Sequence, residues 1–215
     1  MPRLCGGPDS QLTPRGTILT VRGLIIDIGG VLVQDHVLET MERWADQLVL
    51  TREELLAAIY GGNDDAVLIG RVTEDEWWEV VHKRLGMDTS DLRGELESGQ
   101  TWSDELVAVL RSAKAATRTA ILSNAWPSQR ARMVERGLGD LVDELLLSCE
   151  IGCAKPDVNA FIIALERLGT APAETLVVDD TPGHVAVAEK LGISGHVHST
   201  IEDTIKAVRR FAAGS

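Results

Sequence analysis

The sequence predicts an α/β protein in which a doubly wound, three-layer core with a parallel sheet carries a helical insert. Three observations predict this class. Short apolar or β-branched runs alternate with helical patterns across residues 100–200. Such runs suit strands that are buried on both faces of a parallel sheet. Residues 35–100 break this rhythm, because they contain helical patterns and no strand pattern.

Five runs are expected to form the sheet, and they cover residues 24–28, 117–123, 144–148, 175–180 and 193–198. Residues 1–20 mix Gly, Pro and polar residues without periodicity, which is typical of a flexible N-terminal extension. The α/β core is therefore assigned to residues 21–34 and 101–215, and the helical cap to residues 35–100.

The helices of the core have clear boundaries. Ser103 is the expected N-cap of one helix, and acidic residues follow it in the first turn. Pro156 stands at the expected start of another helix and Gly169 just past its end. The stretch "TPGHVAVAEKLG" repeats the same arrangement, so strand and helix alternate to the end of the sheet.

The insert begins immediately after the first strand. It contains two capping-box patterns, Thr51 with Glu54 and Thr73 with Glu76, which predict helix starts. An insert at this point lies over the carboxyl ends of the strands, where open α/β sheets bind ligands. We therefore expect it to act as a lid.

Two adjacent tryptophans, Trp77 and Trp78, lie on a predicted helix of the insert. Because adjacent residues point in different directions from a helix, the two are not both expected to be core residues. Packing within the lid is nevertheless the favoured interpretation for each of them. An exposed tryptophan face on the insert leaves pairing into a homodimer open.

The amino-acid composition limits the kinds of partner that the protein can bind. The 215 residues are 44% hydrophobic and 25% charged, as in a soluble globular protein, and no apolar run approaches the roughly 20 residues of a membrane span. The net charge of −12 opposes binding to nucleic acid or to an anionic membrane. An anionic substrate therefore requires local positive charge.

The cysteines are Cys5, Cys149 and Cys153, an odd number without a secretory signal ahead of them. This pattern indicates a reducing, cytoplasmic compartment. "CEIGC" together with His196 and His198 is a weak metal pattern, and ordinary reduced thiols are the favoured interpretation.

Polar residues stand where the predicted strands end or the next helix begins. They are Asp27, Ser123, Lys155, Asp179 and Asp180. The carboxyl ends of the strands of a doubly wound sheet meet in one crevice, so these residues are expected to converge. Carboxylates suit Mg²⁺, and a lysine with a hydroxyl suits phosphate. Adjacent carboxylates such as those of Asp179 and Asp180 repel each other unless a cation or proton intervenes.

The order and spacing of "IIDIGGVL", "AILSN", "GCAKPDVNAF" and "LVVDDTPGHVAVAEKLG" resemble the four motifs of the haloacid dehalogenase-like (HAD) hydrolases. The resemblance extends over residues 22–198. It is to the branch whose helical cap follows the first motif, and "GLGDLVDELLLSCEIGCAKPD" also resembles that branch.

The resemblance implies a Mg²⁺-dependent phosphatase acting on a small phosphorylated metabolite. Asp27 would be the nucleophile that forms an aspartyl-phosphate, Ser123 would bind the phosphoryl group, and Lys155 would offset negative charge. The implied metal ligands are Asp27, the main-chain carbonyl of Gly29, and Asp180 with Asp179. The implied substrate-binding residues are Asn124 and Gly30, and Trp126, beside Ser123, is expected to line the substrate pocket.

Two positions depart from the family pattern. Gly29 stands where phosphatases of the family usually carry an aspartate as general acid, and His184 stands where Asp or Asn is common. Loss of a general acid costs about 10²- to 10⁴-fold in rate, which slows the chemistry without forbidding it. A preference for esters with good leaving groups, which need no proton, is therefore expected. Asp35 and His36 are candidates for a borrowed acid. For His184 a structural role is favoured over metal ligation.

Two rival functions remain open. A non-catalytic module that binds a phosphorylated ligand or a protein would account for Gly29 and His184. A 2-haloacid dehalogenase would use Asp27 without metal, but that subgroup typically has Tyr at the position of Gly29, and the Asp179 and Asp180 pair favours metal.

Overall fold

The computed structural model describes residues 21–35, 37–61, 64–98 and 100–214. The expected extension, residues 1–20, and His36 lie outside them. The strands of the described part are β1 (Gly23–Ile26), β2 (Val33–Asp35), β3 (Gln100–Trp102), β4 (Arg118–Ser123), β5 (Glu144–Leu147), β6 (Thr175–Asp179) and β7 (Ser194–Val197).

The helices of the insert are α1 (Val37–Leu48), α2 (Arg52–Tyr60), α3 (Asp64–Leu68), α4 (Glu74–Leu85) and α5 (Ser90–Ser98). Those that follow it are α6 (Asp104–Ala113), α7 (Gln129–Glu135), α8 (Leu138–Leu141), α9 (Ser148–Ile151), α10 (Val158–Leu168), α11 (Pro182–Lys190) and α12 (Ile201–Ala213). A short 3₁₀ turn, Pro172–Glu174, precedes β6.

Five strands form one parallel sheet in the order β5-β4-β1-β6-β7. Alternate residues of β1 point to opposite faces, as strand geometry requires. Leu24 and Ile26 join a cluster with α6 and α12, whereas Ile25 joins a cluster with α10 and α11. Helices therefore cover both faces of the sheet. The predicted α/β class with a parallel sheet is confirmed, and all five predicted runs form its strands.

The helix starts follow local chemistry. Ser103 caps α6 by accepting a hydrogen bond from the N–H of Leu106. For α10, Asp157 is the N-cap, so this helix begins two residues after Pro156. Gly169 ends α10 with a φ of 65°, in the left-handed region that glycine adopts readily.

Helices α1–α5 lie between β2 and β3 and share a hydrophobic cluster of their own. Both capping boxes are formed, at Thr51 with Glu54 and at Thr73 with Glu76. The strands β2 and β3 pair antiparallel into a two-stranded ribbon that joins the insert to the core. Three-residue strands carry too little periodicity to be recognised in a sequence. The division into core and cap at residues 35–100 stays a prediction.

The expectation that Trp77 and Trp78 are not both core residues is wrong. Their exposed fractions are 2% and 5%. Helix α4 is covered on more than one side, because α2 packs against it and Trp126 of the core contacts both rings. The third tryptophan of the insert, Trp44, is also buried. These three side chains therefore form no exposed face, and pairing into a homodimer stays a prediction without that support.

In the described part of the chain, no helix is long and apolar enough to cross a membrane. The suggested metal pattern of cysteines and histidines is not assembled among the described residues. His196 and His198 each contact the hydroxyl of Thr204, at 3.1 and 2.7 Å. Burial raises the pKa of the Cys149 and Cys153 thiols, which disfavours the thiolates that a metal would need.

Candidate active site

The first site residue, Asp27, follows β1 directly. Its N–H donates to the carbonyl of Val178 at 2.9 Å, which continues the pairing of β1 with β6. The carboxylate is buried, and its Oδ1 accepts a hydrogen bond from the N–H of Ile28 at 2.7 Å. The strand end therefore fixes this carboxylate at the carboxyl edge of the sheet.

The ammonium of Lys155 bridges two carboxylates from two strands. Its Nζ lies 2.8 Å from Asp27 Oδ2 and 2.6 Å from Asp179 Oδ2. Only 4% of Lys155 is exposed. A buried cation of this kind requires partners, and here the two acids supply them.

Asn124, which directly follows Ser123 and β4, holds the backbone of Lys155. The side-chain oxygen of Asn124 accepts a hydrogen bond from the N–H of Lys155 at 2.8 Å, and its Nδ2 donates to the carbonyl of Lys155 at 2.7 Å. This two-way contact ties the loop that carries Lys155 to the end of β4. Asn124 therefore positions the lysine as well as lining the cavity described below.

The pKa values of the two acids beside Lys155 are shifted in opposite directions. Burial raises the pKa of Asp27 from its ordinary value of 3.8 to about 6, against the opposing effect of Lys155. Burial would raise the pKa of Asp179, but the hydrogen bond from His184, the charge and hydrogen bond of Lys155 and the N–H of Thr181 together lower it. Asp179 is therefore the more firmly ionised of the two, and Asp27 is ionised above about pH 6.

His184 lies on the first turn of α11, with its Nδ1 3.0 Å from Asp179 Oδ1. One ligand atom from each of Asp27, Asp179 and His184 lies within 4.8 Å of the others, so this group could hold a metal ion. The sequence favoured a structural role for His184, and its contact with Asp179 was not anticipated. The expected place of His184 on the first turn of the helix that follows Asp179 and Asp180 was the available signal.

Asp180 is exposed and lies beside Gly30. A Cβ at Gly30 would collide with the Asp180 carboxylate, and Gly30 has a φ of 70°. The backbone conformation thus favours glycine here, and a side chain at this position would also displace the Asp180 carboxylate. Asp180 is not in the group formed by Asp27, Asp179 and His184, although it follows β6 at the same edge of the sheet.

A cavity of about 140 Å³ opens beside Asp27. Its wall includes Asp27, Gly29, Ser123 and Asn124, together with Gln129 and Arg132 from α7. Ser123 is buried at the end of β4. The sequence patterns did not indicate Gln129 and Arg132, and their spacing of three positions on the helix after "AILSN" was the only signal.

Gly29 has open space where a side chain would stand. A Cβ built there meets no atom of the described residues within 4 Å. A Cβ atom at this position would therefore cause no collision with the described residues. Of the two candidates for a borrowed acid, the side chain of Asp35 and the whole of His36 lie outside what the structure describes.

Trp126 lies between the core and the insert. Its ring centroid is 4.5 Å from that of Trp77 and 6.3 Å from that of Tyr60. It is not among the residues that line the 140 Å³ cavity. Its expected role in substrate binding stays a prediction, and the contacts seen are those of packing between the two parts.

A buried acid provides a second contact between the insert and the core. Glu74, the first residue of α4, accepts hydrogen bonds from the N–H and the hydroxyl of Ser128 at 3.0 and 3.1 Å. Arg93 of α5 lies 3.4 Å from the same carboxylate. Because Ser128 precedes α7, the insert is tied to the helix that carries Gln129 and Arg132.

Known proteins resemble this chain along most of its length. Hexitol phosphatase A of Escherichia coli (strain K12) is 30% identical over 181 residues, which cover 76% of each chain. Bifunctional epoxide hydrolase 2 of Sus scrofa is 26% identical over 214 residues, 89% of this chain. The chain spans only 38% of the length of that relative.

Solved structures share the fold. A predicted HAD-like family hydrolase from Porphyromonas gingivalis superposes with a TM-score of 0.78 at 27% identity, over 91% of this chain and 100% of that one. A HAD family enzyme from Bacteroides thetaiotaomicron, in complex with magnesium and inorganic phosphate, has a TM-score of 0.70 at 23% identity and covers 85% of this chain and 96% of its own.

The family profile described as haloacid dehalogenase-like hydrolase matches residues 21–192. This match includes the strands that carry or precede Asp27, Ser123 and Asp179, and the loop that carries Lys155. The relatives of the chain include phosphatases. The chain belongs to the haloacid dehalogenase-like hydrolase family.

Proposed function

We propose that this protein is a Mg²⁺-dependent phosphatase that acts on a small phosphomonoester through an aspartyl-phosphate on Asp27. The observation that carries the proposal is the buried arrangement of Lys155 with Asp27 and Asp179, at 2.8 and 2.6 Å. Such an arrangement would provide a nucleophilic carboxylate, a fixed cation and a second acid at the edge of a cavity. Strongly perturbed acids in a cleft are typical of functional sites.

The donor set fits Mg²⁺. Asp27 and Asp179 offer hard carboxylate oxygens within one group, and Asp180 lies at the same edge. Asp27, Asp180 and Asp179, with the carbonyl of Gly29, would hold the ion. When bound, Mg²⁺ supplies charge stabilisation on the phosphoryl oxygens.

The chain's own residues account for the other parts of the reaction. Asp27 attacks phosphorus, because its carboxylate is ionised near neutral pH and lines the cavity. Lys155 neutralises charge near the nucleophile, and Ser123 binds a phosphoryl oxygen. Water then hydrolyses the aspartyl-phosphate and restores the Asp27 carboxylate.

Gly29 restricts the substrates. It supplies no general acid, so esters whose leaving groups depart without a proton are favoured over alkyl esters. The enzyme is therefore proposed to have low activity on simple alkyl phosphates.

Phosphate release from aryl, acyl and sugar phosphates, measured with and without Mg²⁺, tests the proposal. Asp27→Asn is expected to abolish turnover, whereas the matched control Asp46→Asn, at an exposed position of α1, is expected to retain it. If the wild-type protein binds Mg²⁺ and inorganic phosphate but releases no phosphate in a Mg²⁺-dependent way, the proposed enzymatic function is wrong. That result would support a non-catalytic binding module.

A further inference from the structure

Glu74 is a buried acid on the first turn of α4, and its own helix does not require it. Only 5% of Glu74 is exposed, although glutamate is almost never fully buried unless it is paired. The start of α4 is already satisfied by the capping box of Thr73 with Glu76. The next acid of this turn, Asp75, is exposed. The burial of Glu74 is therefore explained by what its carboxylate contacts outside α4.

The carboxylate of Glu74 holds Ser128, the residue that precedes α7. The N–H and the hydroxyl of Ser128 both donate to it, at 3.0 and 3.1 Å. The Ser128 side chain makes no capping hydrogen bond within α7 itself, so its hydroxyl is committed to the insert. Arg93 lies 3.4 Å from the same carboxylate and 2.8 Å from that of Asp75. The insert thus provides a fixed anchor for the start of α7.

The segment between β4 and α7 is held from two sides. Near β4, the N–H of Ala125 donates to Oγ of Ser148 at 3.0 Å, which is a contact within the core. Near α7, Trp126 packs against the two tryptophans of α4, and Ser128 is bound by Glu74. The core therefore fixes the beginning of this segment, and the insert fixes its end.

The two ends of this segment border the same cavity. The wall beside Asp27 comes from the ends of β1 and β4, and Gln129 and Met133 extend the wall from α7. Glu74 is not among the described residues that line the cavity. A change at Glu74 would therefore reach the α7 wall through Ser128 and leave the wall at the strand ends in place.

From this arrangement we infer that Glu74 is a positioning residue that sets the size of the substrate by holding α7 against the insert. The inference rests on the proposed phosphatase function. The phosphoryl group binds at the strand ends beside Asp27, so the leaving group extends toward α7. A cavity of about 140 Å³ corresponds to roughly ten water-sized positions, which favours a compact leaving group. Without the anchor, the α7 wall moves outward and this preference is lost.

The test compares phenyl phosphate with 1-naphthyl phosphate, two aryl esters that differ in size, in the presence of Mg²⁺. Glu74→Ala is expected to lower the ratio of kcat/KM for the phenyl ester to that for the naphthyl ester about tenfold. The main change is a higher KM for phenyl phosphate, because a compact leaving group loses its contacts when the wall shifts. Glu79→Gln, at an exposed position of α4, is the matched control.

Two milder variants carry the test if Glu74→Ala does not fold. Ser128→Ala removes one of the two hydrogen bonds, and Glu74→Gln keeps an acceptor oxygen, so each is expected to lower the ratio by less. A merely structural role would not move the ratio, because partial unfolding reduces the amount of active enzyme equally for both esters. Binding of inorganic phosphate with Mg²⁺, measured by titration calorimetry, is expected to change less than about threefold, since core contacts hold the strand ends.

An unchanged ratio in the variants of Glu74 and Ser128 would overturn the inference while leaving the phosphatase intact. A loss of phosphate binding that parallels the loss of turnover would do the same, because Glu74 would then act on the whole site. Absence of Mg²⁺-dependent turnover of both esters by the wild-type protein would instead overturn the proposed function, and the inference with it.

Discussion

The Nζ of Lys155 lies 2.8 Å from Oδ2 of Asp27, and both groups are buried. The pair joins the end of β1 to the loop before α10, two segments that are far apart in the chain. Loss of Lys155 would leave the carboxylates of Asp27 and Asp179 without their shared cation, whereas loss of the Asp27 charge would leave Lys155 paired with Asp179.

Lys155→Met is expected to lower the free energy of unfolding by about 3 kcal/mol at pH 7, since two buried carboxylates lose their shared cation. The loss should shrink as the pH falls to about 5, because Asp27 and Asp179 can then take up protons. Urea denaturation at both pH values measures the difference. An equal loss at the two pH values would contradict this account, and Lys190→Met, at an exposed position of α11, is the control.

Asp27→Asn is expected to stabilise the metal-free protein. The pKa of Asp27 is raised from 3.8 to about 6, so its ionisation costs stability as the pH rises through this window. At pH 7 the variant should gain up to about 3 kcal/mol, the equivalent of roughly two pKa units. The gain should vanish below about pH 4, where the folded and unfolded states are both protonated. Urea denaturation without Mg²⁺ across this range would show a pH-independent difference if the explanation were wrong.

Gly29→Asp is expected to raise kcat/KM for alkyl phosphates on the order of 10²-fold, because it restores a general acid. A Cβ atom at this position meets no atom of the described residues within 4 Å. Aryl phosphates with good leaving groups should respond much less. Gly29→Asn fills the same space without an acid and serves as the control, and an equal response to Asn and Asp would rule out acid catalysis.

Asp180→Asn is expected to weaken Mg²⁺ binding by about tenfold or more, whereas His184→Asn should change it less than about threefold. Mg²⁺ prefers carboxylate oxygens to imidazole nitrogen, and Nδ1 of His184 already contacts Asp179. Titration calorimetry with Mg²⁺ measures both constants. The reverse order of effects would assign the metal to the group that contains His184.

Glu74 and Ser128 are expected to be coupled by about 1–2 kcal/mol in a double-mutant cycle of Glu74→Gln and Ser128→Ala, measured by urea denaturation. The reason is that a buried carboxylate accepts two hydrogen bonds from Ser128. Additive effects of the two substitutions would show that the hydroxyl of Ser128 does not contribute to holding the insert against α7.

Most of the fold could be predicted from the sequence, because strand and helix periodicities are local properties of the chain. Buried apolar runs marked the five strands of the parallel sheet, and the residues at Thr51 and Thr73 marked two helix starts. The ribbon of β2 and β3 could not be predicted, since pairing between segments on either side of the insert decides whether three residues become a strand.

The sequence by itself determined the α/β class, the family motifs and the positions of Asp27, Ser123, Lys155 and Asp179, since each follows a pattern in neighbouring residues. Only the tertiary structure decided which groups meet. It placed Arg132 in the cavity, buried both Trp77 and Trp78, and set the pKa of Asp27, because burial and charge proximity depend on segments that are distant in the chain.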